Sequence, residues 1–195
     1  MAREVIAPES AFVVPGFFSA VECRTWRNRG QQAGYEANAP VSLAQGATRL
    51  DEVRNNGRAI ADRPDWAQAL WQSMAHFFPP IDGGLPVGLN ERFRFYLYDP
   101  GQYFKPQLDG RYERSPTEYS LWTLMIYLNG GFEGGETDLF AHDHVVTPTE
   151  GRLLAFRHRQ AHAGREVLRG RKHVLRTDVM YRFPAKGDPR FHPDR

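Results

Sequence analysis

Apolar residues recur along this chain with two different periods, and the change from one to the other divides it. Trp66, Leu70, Trp71, Met74 and Phe77 stand three and four residues apart. That is the repeat of an amphipathic helix, predicted over 64–78. Pro79-Pro80 ends it, because proline has no N–H to donate and clashes with the preceding turn. An earlier helix is predicted over 20–32. Ser19 with Glu22 three residues on forms a capping-box pattern at its start, and Val21 and Trp26 are placed on one face. Between the helices, 38–56 is polar and irregular, a candidate for a mobile flap over a site.

From Arg92 the period changes to two. Phe93, Phe95 and Leu97 alternate with Arg92, Arg94 and Tyr96, the pattern of a half-buried strand. Asp99-Pro100-Gly101 is a turn signal, and the β-branched and aromatic run 121–128 ends at Asn129-Gly130-Gly131. Further short strands are predicted at 136–140, 145–146, 152–156 and 173–183. Six or more short strands with turn chemistry between them point to a sandwich or jelly roll. The expected architecture is one domain over 1–195. Helical support and a flap occupy roughly the first 90 residues, and a mainly β core spans 91–183.

Composition narrows this further. With 41% apolar and 25% charged residues the chain reads as an ordinary soluble globular protein. No apolar stretch approaches the ~18 residues of a membrane span, and the first ten residues contain no apolar signal core. Cys23 is the only cysteine, which excludes an intramolecular disulfide and fits a reducing cytoplasm. Net charge is +2, but Arg152, Arg157, Arg159, Arg165, Arg169, Arg171, Lys172 and Arg176 crowd one stretch with Glu166 the sole acid among them. That run is a nucleic-acid footprint or, on the favoured reading, a solvated strand-and-turn edge with one or two cations facing inward. It lacks the interleaved exposed aromatics that stack bases.

Three fragments carry chemistry: Tyr98-Asp99-Pro100-Gly101-Gln102 leading to Lys105-Pro106-Gln107-Leu108-Asp109-Gly110; Ile126-Tyr127-Leu128-Asn129 leading to Gly134-Gly135-Glu136-Thr137; and His162-Ala163-Gly164 leading to Lys172 through Tyr181. Side chains two apart on a strand share a face, so Gln107 and Asp109 point the same way. In a jelly roll a distant strand can bring His162 to them, completing a three-sided cap on a metal. Two imidazoles and a carboxylate on one face make the facial triad of non-haem iron oxygenases, with positions left open for co-substrate and oxygen. Here the first position offers an amide.

Over 54–181 the chain resembles the iron(II)- and 2-oxoglutarate-dependent dioxygenases, closest to the prolyl 4-hydroxylase-like group. The resemblance implies a double-stranded β-helix with N-terminal helices. It also implies Asp109 and His162 as iron ligands, and Lys172, ten residues after His162, as the base that pairs with the far carboxylate of 2-oxoglutarate. Tyr98 and Tyr127 match positions that line the co-substrate pocket, and Arg176 is a second candidate cation. The implied activity is hydroxylation of an amino acid, peptide or protein substrate with O2. Substrate would enter under 38–56 and the loop carrying Arg111, Tyr112 and Arg114, in a monomer or homodimer. Gln107 departs from the family's histidine and leaves three readings open: iron held at lower affinity through the amide oxygen, a degenerate binding barrel without stoichiometric iron, or an introduced inactivating change. His142 and His144 are expected in a hairpin turn rather than as replacement ligands, and His158 and His173 as structural. Gly134-Gly135 lacks the lysine and helix of a phosphate loop.

Overall fold

A computed structural model of the chain describes residues 2–36, 41–43, 46–48 and 55–185. In chain order the elements are β1 (Glu4–Ala7), β2 (Ala11–Val14), α1 (Ala20–Ala33), β3 (Val41–Leu43), β4 (Gly46–Thr48), β5 (Gly57–Asp62) and α2 (Pro64–Met74). There follow β6 (Leu85–Leu89), β7 (Arg92–Tyr98), β8 (Phe104–Gln107), β9 (Glu113–Ser115), β10 (Glu118–Tyr127), β11 (Glu133–Gly134) and β12 (Thr137–Leu139). The last are β13 (His144–Val146), β14 (Leu153–Arg157), β15 (His162–Gly164), β16 (Val167–Arg169) and β17 (Lys172–Arg182).

A nine-stranded antiparallel sheet runs β1-β2-β14-β10-β17-β7-β5, with β6 paired to β17 and β9 to β10. A four-stranded sheet, β13-β12-β15-β8, makes the opposite wall. This is the jelly roll expected from the alternating pattern, with N-terminal helices added. Because the large sheet is covered on both sides, its strands feed two cores. Phe93, Phe95, Leu124, Ile126 and Leu175 pack against Trp26, Leu70, Met74 and Phe77 from the helical side. Tyr96, Tyr98, Tyr127, Leu154, Phe156 and Val174 meet Leu139 and Val146 inside the barrel. The strand read as half-buried is therefore buried on both faces around Phe95 and Tyr96.

The capping box of α1 is formed in full: the Glu22 amide donates to Ser19 Oγ, and the Ser19 amide donates to the Glu22 carboxylate at 2.8 Å. Val21, however, is 62% exposed while Trp26 is buried. Five residues on a helix turn through about 140° past one full turn, so these two cannot share a face. The buried positions are Cys23, Trp26 and Gly30. A Cβ on Gly30 would stand 2.8 Å from the Phe95 ring, so this glycine sets how closely α1 lies on the sheet. The second helix ends at Met74 and continues as a 3-10 turn, Ala75–Phe77.

The region read as an irregular flap lies largely outside the described residues; of those described within it, 41–43 and 46–48 form the antiparallel pair β3–β4, and Asn55 and Asn56 lead into β5. The strand predicted over 136–140 stops at Leu139, where Phe140–His142 turns into a 3-10 helix closed by Asp143 in the left-handed conformation. No helix among the described residues is long and apolar enough to cross a membrane.

Candidate functional site

Strand β17 builds one wall of the barrel interior. Its alternation turns Lys172, Val174, Arg176 and Asp178 to the same side. Register with β7 sets Tyr98, Tyr96 and Arg94 beside the first three, and register with β10 sets Tyr127, Met125 and Thr123 beside the last three. Lys172, at the closed end, is 2% exposed, and its Nζ donates to the Gly135 carbonyl at 2.6 Å. It also lies 5.1 and 5.5 Å from the ring centres of Tyr98 and Tyr127. Burial pulls its pKa down to about 8, against a smaller upward pull from Glu136. Gly135, at φ +70°, leaves just enough room: a Cβ there would meet the Lys172 stem at 3.0 Å and Val167 at 3.1 Å. The Tyr127 hydroxyl is 2.7 Å from Thr137 Oγ1, and burial pushes that phenol's pKa up.

The other end is assembled across the smaller sheet. Pairing of β8 with β15 places Gln107 directly opposite His162. Asp109 follows two residues on. Leu108 between them is 61% exposed, so the alternation that turns Gln107 and Asp109 inward survives past the end of the strand. Gln107 Nε2 is 3.2 Å from Asp109 Oδ1 and 3.4 Å from His162 Nε2, and His162 Nε2 is 3.6 Å from Asp109 Oδ2. The Gln160 carbonyl lies 3.0 Å from His162 Nδ1, which fixes the proton there and leaves the Nε2 lone pair facing the cluster. Burial lowers the His162 pKa, against an upward pull from Asp109, which favours the neutral ring that a ligand needs. Burial alone would raise the Asp109 pKa, but Arg176, His162 and the Thr123 hydroxyl, which donates to Oδ2 at 2.6 Å, together hold it below the usual carboxylate value.

These donors fit a metal of the expected kind. Ligands about 2.1 Å from one ion at right angles lie roughly 3 Å apart. The observed separations of 3.2–3.6 Å need only small inward shifts. Gln107 presents its amide nitrogen, which has no lone pair to give. Its oxygen reaches the same point by a half-turn of the amide, the two ends being nearly isosteric. No set of three His, Cys, Asp or Glu side chains converges among the described residues, because an amide takes the third place.

One pocket joins the two ends. It is lined by Gln107, His162, Lys172 and Arg176 with Tyr96, Tyr98, Phe104, Met125 and Thr137. Tyr127 stands one layer behind it. Arg176 lines the pocket, but its guanidinium is engaged by Asp109 Oδ2 at 3.0 Å and Asp178 Oδ1 at 3.3 Å. His142 is held away by Gln160 at 2.8 Å and takes no part. His158 lies beside Asp178 at 3.7 Å, and His173 is on the helical side near Tyr35. Thr123, Asp178 and Gly135 were not legible as site residues. The first two are ordinary strand positions whose alternation faces inward, and only cross-strand register brings them to Asp109.

The basic run is mostly spent on internal pairs: Arg157 with Asp82, Arg165 with Asp138, Arg169 with Glu133, and Arg171 with Asp99.

Residues 93–177, the stretch that carries both ends of this pocket, match the 2OG-Fe(II) oxygenase superfamily model. Over this stretch the barrel is similar to that superfamily. That likeness supports a 2-oxoglutarate-dependent dioxygenase, with iron(II) as the metal and 2-oxoglutarate as the co-substrate. Among solved structures, the viral collagen prolyl hydroxylase of Paramecium Bursaria Chlorella virus-1, in complex with 2OG, is 20% identical over 92% of this chain and 99% of its own, with a TM-score of 0.63. A Pseudomonas putida prolyl-4-hydroxylase is 18% identical over 92% of this chain and 96% of its own, TM-score 0.62. A Trichoplax adhaerens prolyl hydroxylase, bound to a hypoxia-inducible-factor oxygen degradation domain peptide, is 13% identical over 88% and 84%, TM-score 0.68. No curated protein matches the sequence.

Proposed function

We propose that this protein hydroxylates a C–H bond of an amino acid, peptide or protein substrate, with Asp109, His162 and Gln107 holding the metal and Lys172 holding the far carboxylate of 2-oxoglutarate. The observation that carries this reading is the pocket shared by Gln107, His162 and the buried Lys172, with the Gln107, His162 and Asp109 side chains meeting at 3.2–3.6 Å at one end. Iron(II) and 2-oxoglutarate supply the oxidising chemistry when bound.

This chain's residues supply position and exclusion. Lys172 offers a cation where Tyr98 and Val174 keep water out, so its pairing with a carboxylate is little screened. His162 keeps a lone pair available by committing Nδ1 to Gln160, and Asp109 stays ionised without a metal through Thr123 and Arg176. Phe104 and Met125 give the reacting centre apolar walls. Exposed Tyr112 lies in the loop assigned to substrate entry. Arg111 there stacks on Tyr119 at 4.6 Å, while Arg114 is committed to Glu91 and Glu118. The peptide carried by the Trichoplax relative supports a peptide or protein side chain as substrate.

The rival reading, a degenerate barrel that binds without stoichiometric iron, is favoured by one observation. Gln107 donates to Asp109 Oδ1 while Thr123 and Arg176 take Oδ2, so the carboxylate is satisfied with no ion present. Anaerobic iron(II) and 2-oxoglutarate binding, followed by succinate release in air, separates the two on the parent and Gln107→His side by side. Both are expected to bind iron and form succinate, the histidine variant binding at least tenfold tighter. Succinate from the histidine variant alone makes the parent a degenerate barrel. Iron binding by neither removes the metal assignment.

A further inference from the structure

The proposed reaction asks Arg176 only to keep Asp109 ionised and gives Asp178, its second partner, no task. The Arg176 guanidinium sits between two carboxylates, 3.0 Å from Asp109 and 3.3 Å from Asp178. Asp178 is itself fixed by Arg94 at 3.3 Å and by the Asn90 amide at 3.2 Å. All of these groups lie on inward-facing positions or loop ends packed against them, and Asp109 and Asp178 are buried. Burial favours the neutral guanidine, yet the two aspartates hold Arg176 firmly charged. The four charges of Asp109, Asp178, Arg94 and Arg176 sum to zero. The one charged donor in the candidate metal site is thus already offset by a cation within hydrogen-bond reach.

We propose that Arg176 tunes the metal affinity of this site from behind Asp109, holding it below what Gln107, Asp109 and His162 would otherwise give. Asp178 limits that penalty by drawing the guanidinium's charge toward itself. The inference rests on the metal-site reading and deepens it. Charges a few ångströms apart in a protein interior are weakly screened, so a fixed guanidinium opposes an incoming divalent ion. The same group keeps Asp109 oriented and partnered when no ion is present, a second-layer role that is positioning rather than catalytic. Asp178 acts in the opposite sense, because its negative charge offsets that of Arg176.

The two halves of the pair therefore give opposite signs. Mn(II) binding without co-substrate is measured by calorimetry and by the EPR signal of free Mn(II), on the parent, Arg176→Met, Arg176→Gln, Arg176→Lys and Asp178→Asn. Each is held at a temperature where unfolding curves show it folded. Arg176→Met is expected to bind at least tenfold tighter, Asp178→Asn at least tenfold weaker, and Arg176→Lys close to the parent. Arg176→Gln, which keeps a donor for Asp109, carries the neutral arm where the methionine variant does not fold. A merely structural pair would weaken binding from either side. Mn(II) binding by Arg176→Met and Arg176→Gln that is equal to or weaker than the parent's overturns the inference, as does tighter binding by Asp178→Asn. Failure of the parent, both neutral variants and Gln107→His to bind Mn(II) at all would instead remove the metal-site reading beneath it.

Discussion

Lys172→Met replaces the buried ammonium by an apolar side chain of similar length, and it should make the free protein more stable while disabling it. Folding lowers the lysine's pKa from 10.5 to about 8 through burial. A folded-state pKa below the unfolded one means the unfolded chain holds the proton more tightly. The buried charge therefore costs stability at every pH below about 8, and the cost is relieved as pH rises toward 10.5. At ~1.4 kcal/mol per pH unit the full cost is about 3 kcal/mol. Against it stands the Gly135 carbonyl, which loses its donor in the variant at roughly 1–2 kcal/mol. The net expectation at pH 7 is a gain of about 1–2 kcal/mol, a rise in melting temperature of a few degrees for a domain of this size. Co-substrate response should move the other way. Removing one partner of a buried charge pair costs about 2–5 kcal/mol in binding, enough to abolish a stabilisation that is ~2.7 kcal/mol when ligand is at a hundred times its Kd. The assay is urea unfolding of parent and variant from pH 7 to 10, with and without 2-oxoglutarate and Mn(II). The parent's stability, relative to the variant's, should climb between pH 8 and 10. A variant that is less stable than the parent at pH 7, or that keeps the parent's ligand-induced shift, refutes the argument.

Other expectations follow from the same contacts. Gly135→Ala should force the Lys172 stem aside and strain a left-handed residue, weakening 2-oxoglutarate binding at least tenfold by calorimetry with a stability loss of about 1–3 kcal/mol. Thr123→Val removes the hydroxyl that donates to Asp109 and should cost about 1.5–3 kcal/mol in urea unfolding; no loss would mean that Arg176 alone satisfies that oxygen. Gly30→Ala, which in an open helix stabilises by up to ~1 kcal/mol, should destabilise by about 1–3 kcal/mol because the new methyl meets Phe95. Ser19→Ala breaks the capping box of α1 and should cost about 1 kcal/mol, with helical circular dichroism otherwise unchanged.

The alternation of Phe93 and Phe95 with Tyr96, and the cap at Ser19, were legible because each is a local matter of period and hydrogen-bond supply. So was the pairing of Gln107 with Asp109, since two residues on an extended chain share a side. Lys172 and His162 were singled out by spacing and family likeness, and the barrel brings both to one pocket. What local pattern could not supply was anything set by register between distant strands. Strands β1, β2, β5 and β6 escaped notice because they are short and have no distinctive period; the large sheet's edges and its β17 flank recruit them. Val21 was misplaced because one apolar residue near a helix start does not define a face until the sheet beneath it does. The meeting of Gln107 with His162 depends on the pairing of β8 with β15, and the hold of Thr123, Arg176 and Asp178 on Asp109 depends on three strands arriving in register. Local pattern along the chain set which residues alternate, where helices begin, and which donor types are available. Which of those residues meet in space, and that a guanidinium stands behind the carboxylate among them, came from the packing of distant strands. Electrostatic interaction falls with distance across the fold, and distance across the fold is not written in separation along the chain.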